Sequence, residues 1–248
     1  LSSPWTTAYQ GIARTNVILD RLDNLPDGDF KERIRGEALF IRSLFYYHLA
    51  VLWGNVPLQL EAVTSPNVEV TQVSADVVYQ QIAADLEVAQ GLLPASYDAE
   101  NLGRATSGAA NALLGLVYLT SGQKALAETA LRRVVNSGQY QLLDDYTDLW
   151  GVENENNVES VFELQYQAGG TGTGSQFTDY YTPFGGSGGV GAALAANGCG
   201  SGRPLYLAVT TGVPEPSAHQ RCGGIGSGAS QRFGRHLYLW HQVCVADQ

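Results

Sequence analysis

The chain has 248 residues, with 14 Lys and Arg against 24 Asp and Glu, and a net charge of -10. That length supports a packed core in one large domain or two small ones, and 44% hydrophobic against 15% charged residues argues against wholesale disorder. The acidic balance argues against nucleic acid, whose phosphates need a basic face, and no apolar run is long enough to cross a membrane as a helix.

The chain opens at Leu1 without a signal-type apolar stretch, which reads as a fragment or a processed chain. A first helix is expected over Pro4–Leu22, with Trp5, Tyr9, Ile12, Asn16 and Leu19 on one face. Asn24 to Asp29 forms a turn around Pro26 and Gly28. The second helix spans Phe30–Trp53, striped by Ala38, Ile41, Leu44, Phe45, Leu49 and Leu52; Gly54 ends it and Pro57 prevents its resumption. Val56 to Ala62 reads as a short extended piece. Ser74 caps a third helix carrying Val78, Ile82, Leu86, Ala89 and Leu93, and Pro94 stops it. Ser107 is expected to cap a fourth helix, and Gln123–Ser137 a fifth, ended by Gly138. Leu142 to Trp150 is a short aromatic segment, and the alternation in Val161–Tyr166 predicts a strand.

Helices four and five share small and aromatic positions (Ala112, Gly115, Tyr118, Ala127, Ala130) that suit a tetratricopeptide-like hairpin. Helix two offers a related pattern in Ala38, Arg42, Tyr46 and Leu49. Small residues let paired helices approach closely, and the aromatic fills the gap to the next pair. The expected fold is therefore mainly α, built of such hairpins with irregular loops and a few short strands.

The composition changes after Gly185. Residues 1–185 carry a net charge of -12, whereas residues 186–248 carry +2 and hold all three cysteines and 13 of the 29 glycines. Helical periodicity stops there, and Leu205 to Val209 is the one strand-like run of the second part. Two regions are thus expected: helical residues 1–185, and an atypical Gly-rich tail, 186–248, that is disordered or translated from a shifted reading frame. A one-base slip in GC-rich DNA yields such Gly, Ala, Arg and Pro with stray Cys. Shifting the codons of Gly189-Val190-Gly191 by one base allows Gly-Trp-Gly.

Enzyme templates find no match. There is no G-x-S-x-G, H-E-x-x-H or Walker loop. His48, the single histidine before residue 186, sits among Tyr46, Tyr47, Leu49 and Ala50 and reads as a packed helical residue rather than a general base. The acidic pairs Asp144–Asp145 and Glu153/Glu155 read as solvated surface rather than glycosidase carboxylates. The Gly169–Gly174 stretch reads as a flexible loop, lacking the Lys and the βα setting of a phosphate site. In the tail, Cys199, His219, Cys222, His236, His241 and Cys244 imitate zinc spacing without the strands and helix of a finger, so no metal or other cofactor is expected.

The aromatics carry the remaining signal. Tyr180 and Tyr181 follow a Gly/Thr/Ser-rich loop beside Gln176 and Asp179, outside any helical stripe. Rings beside amides and carboxylates suit a sugar: the ring covers the apolar face of a pyranose and the polar neighbours bond its hydroxyls.

Several motifs then stand in a family order: Trp5-x-x-x-Tyr9-x-x-Ile12-x-x-x-Asn16; the run Gly36 to Leu49; Trp53-Gly54-Asn55-Val56-Pro57-Leu58; Ile82-x-x-Asp85-Leu86 with Leu93-Pro94; Gly103-Arg104-Ala105-Thr106; Val135-x-x-Gly138-x-Tyr140; and Glu159-Ser160-Val161-Phe162. Together they resemble the SusD/RagB family of Bacteroidetes-type surface lipoproteins over residues 4–184. Two departures stand out. The family's leader, with its lipid-anchored cysteine, and its long C-terminal continuation are not matched. Asn55 also replaces the usual Asp.

The resemblance implies a non-catalytic nutrient-uptake protein of the outer membrane, exposed at the cell surface through a lipid anchor outside this chain. It would bind oligosaccharide and deliver it to a SusC-like TonB-dependent transporter. By position, Trp5, Gln176, Asp179, Tyr180 and Tyr181 are the ligand-binding candidates, with Trp5 read first as a scaffold residue and second as a ligand contact. The other reading is a tetratricopeptide-type interaction scaffold without a sugar site.

Overall fold

The computed structural model describes residues 2–63, 65, 70–149, 154–165, 202–207 and 239–243. Among the described residues five α-helices carry the fold: α1 Ser2–Asp20, α2 Asp29–Trp53, α3 Ala75–Leu92, α4 Ser107–Thr120 and α5 Lys124–Val135. Each packs on the next in sequence, so α2 with α3 and α4 with α5 form consecutive hairpins. The protein is mainly α and tetratricopeptide-like, with few short strands.

The core follows the predicted stripes. Ile12, Leu49, Val78, Ile82, Leu86, Ala89, Leu114 and Val117 are all fully or almost fully buried. In α4 eleven consecutive residues, Gly108 to Tyr118, are buried, as befits a helix flanked by both α3 and α5. Its glycine matters there: a Cβ on Gly115 would lie 2.5 Å from Leu131 Cδ2, so the hairpin closes on a residue without a side chain.

Caps set the helix ends. Ser74 Oγ accepts the Val77 N–H at the start of α3. For α4 the cap is Thr106, whose Oγ1 accepts the Ala109 N–H at 3.1 Å, one residue before the expected Ser107. A threonine hydroxyl in extended backbone is also a good cap, and Ser107 already lies inside the helix. Gly54, at φ 72°, closes α2 in a conformation that favours glycine. Helix α5 is shorter than its expected span, with Asn136 at its C-cap.

Strands are short. β1 (Val56–Pro57) pairs antiparallel with β2 (Gln72–Val73), Val56 opposite Val73. The strand expected at Val161–Tyr166 does not form within its described part, residues 161–165. Val161, Phe162 and Glu163 are buried in succession rather than alternately, Phe162 meeting Phe40 edge-on at 4.9 Å between centroids. The segment is wedged among other elements instead of pairing at a sheet edge. In the tail, β3 (Gly202–Leu207) pairs antiparallel with β4 (Leu239–Val243), Tyr206 opposite Trp240. β3 overlaps the strand-like run at Leu205; β4 was not expected from the sequence.

Candidate functional site

Trp5 is the one ligand-binding candidate among the described residues; Gln176, Asp179, Tyr180 and Tyr181 lie outside them. The α1 spacing puts Trp5 one turn before Tyr9, and the end of α2 brings Trp53 alongside. The Trp5 ring centroid lies 4.9 Å from Tyr9 and 5.3 Å from Trp53, the latter edge to face. Tyr9 in turn meets Tyr46 edge-on at 6.4 Å. The half-buried Trp5 is thus held between Trp53 and Tyr9, inside a chain of four rings that runs from Trp53 to Tyr46. Both neighbours hold the ring, and part of the indole stays accessible.

Beneath these rings lies a polar clamp. Arg42 on α2 donates through Nε and Nη2 to the Asp85 carboxylate on α3, at 2.8 and 3.0 Å. Arg42 Nη1 donates to Asn16 Oδ1 at 3.0 Å and to the Leu60 carbonyl at 3.1 Å. Asn16 Nδ2 donates to the carbonyls of Gln59 and Glu61 at 3.0 and 3.1 Å. The Tyr46 hydroxyl donates to the Gln59 carbonyl at 2.8 Å and accepts the Gln59 N–H at 2.7 Å, and the Tyr9 hydroxyl donates to the Pro57 carbonyl at 2.7 Å. Burial pushes the Tyr46 phenol up to about 12. Tyr9 is raised further, by burial first and by its neighbour Tyr46 second. The clamp joins α1, α2 and α3 to residues 57–61, and its work is positional.

The other sequence candidates fall on ordinary ground where they are described. His48 Nδ1 lies 2.7 Å from the Leu44 carbonyl, one turn back along α2. Asp144 and Asp145 are exposed. The Thr147 backbone N–H and hydroxyl both donate to Asp145 and hold its carboxyl below the usual range. Glu153 and the Gly169–Gly174 loop lie outside the described residues, as do Cys199, His219, Cys222, His236 and Cys244; the backbone of His241 lies in β4. Among the described residues no group of three His, Cys, Asp or Glu could hold a metal ion, and no helix is long and apolar enough to cross a membrane.

One feature escaped sequence reading. A cleft of about 240 Å³ opens between the α3–α4 connection, Tyr140 and residues 156–163, with Tyr97, Arg104, Tyr140 and Glu163 in its walls. Its walls come from three separated segments, so no local spacing announces it.

With this geometry in view, comparison with known proteins is specific. Residues 2–119 match the SusD-like family described as "Starch-binding associating with outer membrane". SusD-like protein P25 of Formosa agariphila is 28% identical over 170 residues, which are 67% of this chain and 32% of that one. A solved laminarin-binding SusD-like protein superposes with a TM-score of 0.63 at 38% identity, over 66% of this chain and 37% of that one. Surface glycan-binding protein A of Bacteroides thetaiotaomicron, solved with laminarihexaose, gives a TM-score of 0.59 at 28% identity, over 66% of this chain and 35% of that one. The chain spans about a third of the length of the curated relatives it matches. Shared hairpins, the ordered motifs that form the clamp, and this agreement among relatives lead to one conclusion: the helical part of the chain, matched over residues 2–119, is SusD-like.

Proposed function

We infer that this protein binds oligosaccharide without transforming it, as a surface-exposed outer-membrane lipoprotein that passes its ligand to a SusC-like TonB-dependent transporter. The observation that carries the reading is the match of the same helical hairpins to a laminarin-binding SusD-like protein at 38% identity. The laminarihexaose complex of another relative supports a glucan as the ligand class. In this reading the clamp holds the hairpins rigid while Trp5 and the loop with Gln176, Asp179, Tyr180 and Tyr181 meet the sugar.

The test is calorimetric titration with laminarihexaose and maltohexaose, followed by chromatography of the recovered sugar. Saturable binding is expected, with both oligosaccharides returned intact. Tyr181→Ala should weaken it about tenfold, the loss of one aromatic stacking platform of ~1.4 kcal/mol. No binding with either sugar favours a protein-interaction scaffold, and shortened products favour a hydrolase.

A further inference from the structure

The cleft beside the α3–α4 connection has chemistry that the scaffold does not use up. Its volume of about 240 Å³ falls below the ~300–1,000 Å³ of pockets that hold drug-sized ligands, leaving room for one ring rather than a polymer. Glu163, in its wall, is 4% exposed. Among the described residues, its two carboxylate oxygens share a single donor, the Asn156 N–H at 3.2 Å from each. An ionised carboxylate has about four acceptor positions, and burying one with so little donation is costly. Glu163 therefore brings unfilled acceptor capacity to the cleft.

The remaining wall chemistry narrows the occupant. Arg104 Nη1 donates to the Glu37 carboxylate at 2.9 and 3.2 Å, and the Tyr97 hydroxyl donates to the same group at 3.0 Å. A cation in the cleft would meet the Arg104 guanidinium, and an anion would meet buried Glu163. A neutral polyol donates to one and accepts from the other. Tyr97 and Tyr140 add ring surface, and the Tyr140 hydroxyl, 3.0 Å from Thr106 Oγ1, holds its ring in place.

We propose that this cleft is a saccharide subsite for one neutral sugar ring, in which Glu163 accepts from ring hydroxyls between Tyr97 and Tyr140. It rests on the glycan-binding reading above and adds a site on the helical scaffold, separate from residues 176–181.

The experiment titrates the full chain with laminarihexaose and maltohexaose, alongside Glu163→Gln, Gln139→Ala and Tyr181→Ala, each checked by thermal melting. Glu163→Gln keeps the shape of the side chain and removes its charge. It should weaken binding about tenfold, the scale of one charge-assisted hydrogen bond. The exposed wall residue Gln139→Ala should weaken it severalfold at an unchanged melting temperature, and it decides the matter should Glu163→Gln alter folding. Cleft variants that bind as tightly as the unsubstituted chain, with Tyr181→Ala weakened, overturn the subsite and leave glycan binding standing. No heat with either sugar overturns both.

Discussion

Arg42 and Asp85 meet side-on, 43 residues apart in sequence, through two hydrogen bonds of 2.8 and 3.0 Å, with side chains only 7% and 8% exposed. Removing either partner strands the other as a buried charge. Arg42→Ala or Asp85→Ala should therefore destabilise the protein by roughly 3–5 kcal/mol in urea denaturation. Arg42→Lys should not rescue, because an ammonium cannot reproduce the fork that also reaches Asn16 and Leu60. The double variant should cost clearly less than the sum of the single ones.

The α4–α5 hairpin closes on Gly115. Gly115→Val would drive a side chain into Leu131 and should cost roughly 1–3 kcal/mol through overpacking. Combining it with Leu131→Ala should recover part of that loss, since the same space is then vacated. Chemical denaturation of the four species measures the coupling.

Asn55 Oδ1 accepts the N–H of Ala75, the first residue of α3, at 3.2 Å. Asn55→Asp would keep that bond and set a negative charge at the positive end of the helix. It should raise stability by about 0.3–1 kcal/mol at low salt, with the gain shrinking at high salt. Asp76, already in the first turn, holds the gain to the lower part of that range. Thermal melting at two ionic strengths reads the difference.

Alkaline stability follows from the phenols. Tyr46 ionises near 12 when folded, against its usual 10, because burial opposes the charged form. A raised folded value means the unfolded chain loses its proton first, so stability is intact below pH 10 and falls between pH 10 and 12. That one group accounts for roughly 2–3 kcal/mol over the window. Tyr9 and Tyr97, raised chiefly by burial, push in the same direction. Urea midpoints at pH 8 and pH 11, together with ultraviolet titration of the phenols, test it; an unchanged midpoint would contradict it.

The helices were legible because their apolar stripes repeat at the helical period and end at Gly54 and before Pro94, while α5 stops at Asn136, short of Gly138. The stretch after Ser160 was not, because extended backbone pinned by tertiary contacts mimics strand composition: three successive buried residues look like alternation when Glu163 passes for a solvent position. The clamp was half legible. Tyr9, Asn16, Arg42, Tyr46 and Asp85 all stand in the family's motifs, but their convergence on residues 57–61 depends on contacts 13 to 48 residues apart, which no local pattern carries. Of the ligand-binding candidates, only Trp5 has a described position, and its ring partners were foreshadowed by the spacing of Tyr9 on the same stripe. The acidic candidate in the cleft gave no signal, since its interest lies in how few donors reach it.

The clamp grips residues 59–61 by their carbonyl oxygens and leaves their side chains out of the bargain. This stretch is therefore sensitive to count and tolerant of spelling. Replacing Gln59, Leu60 or Glu61 leaves every grip in place, whereas deleting one of them slides each oxygen off its donor. Relatives should drift freely in letters across this crossover and hold its length constant.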